Sequence, residues 1–295
     1  MVYSDRVSSP SPSTIAGRLH VGTAANGELR WALADITPLV EEARIQRDLS
    51  PLAAIGLGQL LTAAVLLTRL VSKDPLRLVL EVRGDGPLGR LRAEADTHGR
   101  VRGLVERHLA ERPAGNERAT PELGTGTLRV VRQMKTRNYE SRVSLVEGGV
   151  ASNVVHFLEQ SEQIRSAAML GVLTRPSGVV VGGGLIVEAL PGADPHLVRR
   201  LETRIPNLPS VSGLLEDGGP WALLDHAIGE VERQTLEERQ VILTCDCDRE
   251  RFRGHLRALA ARDPSVLGDD ETVEVQCNFC GAEYKFPVDE LLTLH

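Results

Sequence analysis

The segment LRLVLEVRGDGPLGRLRAEAD, residues 76–96, indicates the fold class of this chain. Its central cluster, Gly84-Asp85-Gly86-Pro87, is typical of a tight turn, because these residue types favour the backbone angles of chain reversals. Apolar residues alternate with polar ones on both sides of the turn, at Leu78, Leu80, Val82, Leu91, Ala93 and Ala95. Alternation with a period of two is typical of half-buried strands, so the segment predicts an antiparallel hairpin or meander.

Comparable patterns extend outward along the chain. Strands are predicted at about 100–105, 127–135, 141–147 and 179–190, and helices at about 37–47, 51–71 and 151–168. Because strands and helices do not alternate strictly, the order favours an α+β fold over a doubly wound sheet. Residues 14–190 are therefore predicted to form an N-terminal antiparallel-sheet core domain with helices. Residues 1–13 are polar and rich in serine and proline, which predicts a flexible tail.

One apolar stretch is long enough to cross a membrane. Residues 49–68 carry no charge over 20 positions, and a spanning helix needs about 20 apolar residues. Pro51, two glycines and two polar residues interrupt the stretch, and no tryptophan or tyrosine flanks it. It therefore predicts a buried helix and no membrane association. The N-terminus lacks the apolar core of a secretory signal, so a cytoplasmic location is expected.

Residues 191–240 differ in character from the preceding part. Apolar residues recur at helical spacing, at Leu197, Val198, Leu201, Ile205, Leu224, Ile228 and Val231. Prolines and glycines divide this stretch into short pieces, at Pro206, Pro209, Gly213, Gly218, Gly219 and Pro220. Because short amphipathic helices persist only with tertiary contacts, the stretch is predicted to be a metastable helical linker.

All four cysteines lie in residues 241–295, as Cys245-x-Cys247 and Cys277-x-x-Cys280. Four thiolates in two close pairs match the ligand set of a tetrahedral zinc site. A unit of this size with few aliphatic residues also needs additional stabilisation, which a bound metal would supply. Residues 241–295 are therefore predicted to form a small C-terminal zinc-binding domain with one Zn²⁺. Two redox-active pairs without metal are the alternative, and the histidines of this region are the less favoured substitute ligands.

Composition bears on the function class. The net charge is −6 and aromatic residues make up 3%, whereas nucleic-acid binders show basic surfaces and stacking platforms. A zinc-ribbon RNA-binding or RNA-modification factor with structural zinc is still an alternative, although the acidic C-terminal unit disfavours it. A thiol oxidoreductase lacks the expected βαβ context around its cysteines. No nucleophile, base and acid can be assigned together, so the chain is not expected to be an enzyme.

The cysteine motifs resemble those of the bacterial 33-kilodalton heat-shock protein family, which are redox-regulated holdase chaperones. The resemblance spans about residues 14–290. This sequence departs from the family in its polar N-terminal tail and in its three lysines against 31 arginines. The matching motifs are Cys245-Asp246-Cys247-Asp248-Arg249-Glu250-Arg251, Cys277-Asn278-Phe279-Cys280-Gly281, Gly84-Asp85-Gly86-Pro87-Leu88, Ser161-Glu162-Gln163 and Gly183-Gly184-Leu185.

The resemblance implies how such a protein works. The reduced form holds one zinc ion through Cys245, Cys247, Cys277 and Cys280 and is inactive. Oxidation forms the disulfides Cys245–Cys247 and Cys277–Cys280, the latter first, after which zinc is released and the C-terminal domain and linker unfold. The exposed surface then binds unfolding or oxidatively damaged client proteins without ATP, and oxidised chains dimerise.

A chaperone of this kind needs a concealed apolar surface. The linker offers candidates for client binding on its helical faces, at Leu197, Leu201, Leu224 and Ile228. Contiguous exposed apolar patches of more than a few hundred Å² mark interaction sites in soluble proteins. Ordinary amphipathic packing explains the same leucines, and both interpretations hold for the reduced state.

Overall fold

A computed structural model describes residues 15–70, 76–112, 120–268 and 270–292 of the chain. The predicted tail, residues 1–13, lies outside the described residues. The described residues form two compact units, with the division after Leu243. The mixed α+β fold class predicted from the sequence is confirmed.

The larger unit contains most of the secondary structure. Its strands are β1 (Ala16–Ala24), β2 (Leu29–Asp35), β3 (Arg77–Gly84), β4 (Arg90–Asp96), β5 (Arg100–Val105), β6 (Gly126–Gln133), β7 (Asn138–Ser144), β8 (Ser166–Arg175), β9 (Gly178–Ala189) and β10 (Arg233–Leu243). Its helices are α1 (Thr37–Arg47), α2 (Pro51–Leu70), α3 (Val150–Glu162), α4 (Pro195–Arg204) and α5 (Val211–Ile228). A short 3-10 helix, Ile205–Asn207, follows α4.

Within the described residues these strands form one ten-stranded sheet, in the order β7-β6-β3-β4-β5-β10-β1-β2-β9-β8. The hairpin predicted from residues 76–96 is present, with Leu80 opposite Ala93 in an antiparallel register. Strand β10 joins the two halves of the sheet. It runs antiparallel to β1 over its length and parallel to β5 only near its end, where Ile242 lies opposite Arg100.

Helix α2 fills the core beneath the sheet. It packs on β2, β4, β5, β8 and β9, and 18 of its 20 residues are buried. Gly58 allows this close approach, because a Cβ atom there would lie 2.7 Å from Val40 and 2.9 Å from Val172. The apolar stretch that is long enough to span a membrane is thus a buried core helix, in agreement with the sequence analysis.

The opposite face of β2 and β9 is also apolar, and α4 and α5 cover it. Trp31 and Leu33 of β2 and Leu185 and Val187 of β9 are buried there. We call this cluster the covered face. Helix α5 contacts β2, β8 and β9, and Gly219, with φ 69°, interrupts it just before Pro220. The cover therefore consists of helical pieces of at most about ten residues, which are marginal in isolation.

The other half of the sheet carries a network of paired charges on this face. Glu81 is buried to 1% exposure between Arg83, Arg90 and Arg92. Burial alone raises the pKa of Glu81, but hydrogen bonds from Arg83 and Arg90 outweigh it and lower the pKa to about 2. A face of carboxylates paired with arginines needs no apolar cover, unlike the face of the strands under α4 and α5.

The smaller unit, residues 244–292 in its described part, contains α6 (Arg249–Ala260), β11 (Thr272–Gln276), β12 (Glu283–Pro287) and α7 (Val288–Leu292). A 3-10 helix lies at Pro264–Leu267, and β11 and β12 pair antiparallel. Its buried core comprises Ala260, Leu267, Tyr284, Phe286 and Leu291. This core is small for a unit of its length, which favours an additional staple.

Two sequence predictions need correction. The helix predicted at 151–168 ends at Glu162, because Gln163 adopts the left-handed conformation with φ 56° and β8 begins at Ser166. Strands β1, β2, β8 and β10 were not predicted, and residues 233–240 belong to β10, where a helical linker was expected. The division of the larger unit into a core domain and a metastable linker is still a prediction.

The first test concerns the core under the sheet. Leu61 is fully buried in α2, so Leu61→Ala is expected to lower the free energy of unfolding by about 2–5 kcal/mol, as cavity-forming substitutions do. Urea denaturation of the reduced protein measures the change. Ile45→Ala on α1, where the side chain is 64% exposed, should change it by less than about 0.5 kcal/mol. Equal effects of both substitutions would contradict the position of α2 in the core.

Candidate metal centre

The first cysteine pair lies between β10 and α6. Cys245 and Cys247 follow the last residue of β10 closely, and Asp248 then begins α6 as its N-cap. The Asp248 carboxylate accepts a hydrogen bond from the Arg251 backbone N–H at 2.8 Å, which satisfies one of the free amide groups of the first helical turn. The cap therefore fixes the chain immediately after Cys247.

The second pair lies in the turn between β11 and β12. The Cys277 N–H donates to the Ala282 carbonyl, and the Gly281 N–H donates to the Cys277 carbonyl, both at 2.8 Å. Gly281 has φ 76°, a left-handed conformation that glycine adopts without a steric penalty. The Cys-x-x-Cys-Gly sequence thus forms a tight turn that holds Cys277 and Cys280 close together.

The four sulfur atoms converge. All lie within 4.8 Å of one another, and Sγ of Cys245 is 3.6 Å from Sγ of Cys277, while Sγ of Cys247 is 3.3 Å from Sγ of Cys280. The thiols are free. Zn–S bonds of about 2.3 Å in a tetrahedron place sulfurs about 3.8 Å apart. Four soft thiolate donors at these separations fit a zinc ion by both geometry and ligand chemistry.

Hydrogen bonds within the cluster shift the pKa values of Cys277 and Cys245 in opposite directions. Hydrogen bonds from Cys245 and then Cys280 hold the pKa of Cys277 well below its usual range. The hydrogen bond to Cys277 raises the pKa of Cys245 to about 12. Four thiolates cannot all be stable side by side without a compensating positive charge. A divalent cation supplies that charge, so the electrostatics of the cluster agree with its geometry.

Tyr284 is a neighbour of the cluster that the sequence analysis missed. Its hydroxyl lies 3.3 Å from Sγ of Cys247 and 3.3 Å from the Cys247 carbonyl oxygen. Its ring contacts Phe252 of α6 at a centroid distance of 5.0 Å. Outer groups that hydrogen-bond to metal ligands orient them. The available signal was an aromatic residue four positions after Cys280, in a strand that follows the cysteine turn.

Polar contacts join α6 and α7 around Glu290. Its carboxylate contacts Arg249 and Arg253 at 3.3 and 3.4 Å, and its carbonyl accepts from Arg257 at 2.8 Å. The Arg249 guanidinium also lies over the Phe286 ring, 4.5 Å from its centroid. Such partly exposed pairs contribute little stability each. The unit therefore depends on its small apolar core and on the cysteine cluster.

The histidines of residues 241–295, the less favoured substitute ligands, are His255 and His295. His255 is an exposed residue of α6 and is not part of the cysteine cluster. His295 lies outside the described residues. The described part of the chain therefore offers the four sulfurs as the ligand set.

The client-binding candidates lie on α4 and α5, the helices that cover the apolar face of β2 and β9 in the larger unit. Leu197 and Leu201 on α4 are 7% and 9% exposed, and Leu224 and Ile228 on α5 are 0% and 3% exposed. All four belong to one buried cluster with Trp31 and the apolar residues of β2 and β9. The structure thus places them together and conceals them, while their role in binding clients is still a prediction.

Comparison with known proteins identifies the class. A family model described as Hsp33 protein matches residues 17–287. The 33 kDa chaperonin of Thermus thermophilus is 38% identical over 94% of this chain and 86% of its own. That of Acetivibrio thermocellus is 31% identical over 92% of this chain and 94% of its own. A crystal structure of the 33 kDa chaperonin from Thermotoga maritima aligns with a TM-score of 0.83 at 31% identity, covering 93% and 96% of the two chains.

The fold and the sequence matches define a chaperone of the 33 kDa chaperonin type. The chain belongs to the Hsp33 protein family. The family resemblance inferred from the cysteine motifs is thereby confirmed. The names of the relatives agree with a chaperone function and with a non-enzymatic role.

The second test removes one sulfur ligand. Cys277 is the most buried of the four cysteines, so Cys277→Ser is expected to abolish stoichiometric zinc binding and to make residues 244–292 sensitive to proteolysis. Mass spectrometry for zinc after gel filtration measures the first effect, and limited trypsin digestion the second. His255→Ala should retain one zinc per chain. A full zinc complement in the Cys277→Ser protein would contradict the assignment of this cluster.

Proposed function

We propose that this chain is a redox-regulated, ATP-independent holdase chaperone whose reduced, zinc-bound form is inactive. The observation that carries the proposal is the convergence of four free thiols in a unit with a small core. Bound zinc supplies positive charge and a tetrahedral link between the two cysteine pairs. In this form the cover of α4 and α5 stays docked and the protein does not bind clients.

Oxidation is proposed to form the disulfides Cys245–Cys247 and Cys277–Cys280. In each pair two thiolates together lose two electrons and form one S–S bond, while one peroxide molecule accepts the two electrons and, with two protons, leaves as two waters. Two equivalents of peroxide therefore oxidise one chain. Each sulfur is then bonded to the other sulfur of its pair. No thiolates remain, so the ligand set for zinc is lost. By analogy with the family, the Cys277–Cys280 pair reacts first.

Loss of the metal is expected to unfold the small unit. Its buried core consists of five residues within the described part, whereas zinc binding to comparable small units is worth about 10–16 kcal/mol of apparent folding energy. Stability of ordinary domains is only about 5–15 kcal/mol. The folding energy from zinc is therefore as large as the entire stability of an ordinary domain. Without the metal, the remaining interactions are too weak to keep the unit folded.

The same reasoning applies to the cover of the larger unit. Helices α4 and α5 meet the sheet through leucines at Leu197, Leu201, Leu214, Leu215, Leu223 and Leu224. The break at Gly219 and Pro220 leaves short helical pieces that need this docking. Release would expose the cover leucines together with Trp31, Leu33, Leu185 and Val187 of the sheet. Such a contiguous apolar surface is what a holdase requires for unfolding clients.

Further parts of the proposal concern partners and location. Oxidised chains are proposed to form homodimers, and the protein is proposed to act in the cytoplasm, where thiols are kept reduced in the absence of stress. Clients are unfolding or oxidatively damaged proteins. Nucleic acid is not a proposed partner, because residues 241–295 are acidic and aromatic platforms are few.

The third test compares the two redox states. Protein pretreated with peroxide at mild heat is expected to suppress aggregation of a chemically denatured client on dilution, as measured by light scattering, whereas reduced, zinc-loaded protein leaves aggregation unchanged. Reduction with dithiothreitol and zinc before dilution is the control and should reverse the effect. If neither form suppresses aggregation, the zinc centre is structural only, and RNA filter binding at low salt tests the alternative function.

The fourth test loosens the cover without oxidation. Leu201→Ser and Leu224→Ser each bury a hydroxyl in an apolar site and remove docking energy, about 2–4 kcal/mol for such core leucines. The reduced variants are expected to suppress client aggregation in part. Leu109→Ser, at a leucine that is 60% exposed, serves as the matched control. Basal activity that stays at the wild-type level in both cover variants would contradict the role of the cover.

A further inference from the structure

A histidine lies beneath the cover. His20 on β1 is 8% exposed, and its ring contacts Trp221 of α5 at a centroid distance of 4.8 Å. Trp221 in turn meets Trp31 of β2 edge-on at 5.9 Å. Nδ1 of His20 is buried and has no hydrogen-bond partner in the structure. The second half of α5 is thus docked on a titratable ring whose buried Nδ1 has no hydrogen-bond partner.

The charged groups around this ring come from several elements. On β1 the nearest is Arg18, and on β10 Glu238 lies directly opposite, with its carboxylate 4.0 Å from Nδ1. Arg233 of β10 lies over the Trp221 ring, 5.3 Å from its centroid, and pairs with Asp225 of α5.

The remaining neighbours do not compensate a charge on the ring. β2 places uncharged Leu33 opposite His20 and, two register positions further, Asp35, which is hydrogen-bonded to Thr37. Glu238 is half-exposed and already pairs with Arg18 at 2.6 Å. Burial lowers the pKa of His20, and the attraction of Glu238 does not offset this. A proton on His20 therefore opposes the docked arrangement.

We propose that His20 is a proton-sensitive contact of the cover, such that protonation under mild acid loosens the docking of α5 and primes the chaperone for release. The inference rests on the proposed function, because it assigns His20 to the same cover. His20 is distant in sequence from the cysteines, and its protonation needs no oxidant. Acid and oxidation would thus act on one cover through two separate groups.

The direction of the pH effect follows from linkage. The docked state holds a histidine whose pKa is below the ordinary value of 6.5. The undocked state exposes the ring and restores a value near 6.5, so it binds the proton more readily. Docking is fully stable above about pH 6.5 and weakens as the pH falls through the lower, docked value. Each unit of difference between the two states changes the undocked population about tenfold at low pH.

Acrylamide quenching of tryptophan fluorescence measures the effect in the reduced, zinc-loaded full chain. Trp31 and Trp221 are the two tryptophans of the sequence, and undocking of α5 uncovers both. The quenching constant is expected to rise between pH 7.5 and 5.5 in the wild type. It should stay flat in His20→Gln and in His20→Phe, the latter keeping an aromatic ring under Trp221 without a titratable nitrogen.

His226→Gln is the matched control, because His226 is an exposed histidine on the same helix, and its profile should follow the wild type. Zinc content and far-UV circular dichroism are measured in the same samples. A rise in quenching that persists in both His20 variants, or that tracks zinc loss in all proteins alike, overturns the inference. Peroxide-activated holdase activity of the same variants at pH 7.5 tests the proposed function separately, and its loss would leave the quenching result unaffected.

Discussion

Strands β2 and β9 carry apolar residues on both faces, and the helices of the larger unit bury both of these faces. Ala32 and Ile186 point to one face, where α2 lies, and Trp31 and Val187 to the other, where α4 and α5 lie. Helix α2 is one continuous helix, almost entirely buried. The cover on the other face is divided by a glycine and a proline. The two faces thus have the same need for burial but covers of unequal intrinsic stability.

The chain path connects this cover to the cysteines. Residues 191–232 form an excursion between β9 and β10, two strands of one sheet, so both ends of the cover are anchored while its middle depends on docking. Strand β10 pairs fully with β1 but contacts β5 only at Ile242 and Leu243, and Cys245 follows two residues later. An unfolding event that starts at the cysteines would therefore meet first the short parallel contact with β5, through which β10 joins the two halves of the sheet. In the proposed function, this continuity of the chain would link zinc loss to release of the cover.

Sequence patterns predicted what depends on local spacing. The hairpin of residues 76–96, helices α1 and α2 and the grouping of the four cysteines follow from periodicity and motif spacing. Strand β10 could not be predicted in this way, because its segment Thr235–Gln240 is strongly polar and gains its strand structure from non-local pairing with β1. The length of α3 was overestimated, because Ile164, Ala167 and Ala168 continue an apolar pattern after the left-handed Gln163 ends the helix. The place of His20 beneath Trp221 depends on a tertiary contact that no spacing reveals, whereas the position of Tyr284 four residues after Cys280 was a usable signal.

The geometry of the cysteine cluster leaves the disulfide pairing open, but the proposed switch does not. Sulfurs of different pairs already lie 3.6 and 3.3 Å apart. A disulfide between Cys245 and Cys277 would link residues 32 apart and, as a long-loop crosslink, would stabilise the folded unit by about 3–4 kcal/mol. It would thus replace the zinc link and preserve the connection of the first pair to the β11–β12 turn. Disulfides within each pair close only very small loops and leave the two halves of the unit without a crosslink between them. Only this second pairing, which the family resemblance implies, would convert oxidation into unfolding, so the proposed release of the cover depends on Cys245–Cys247 and Cys277–Cys280.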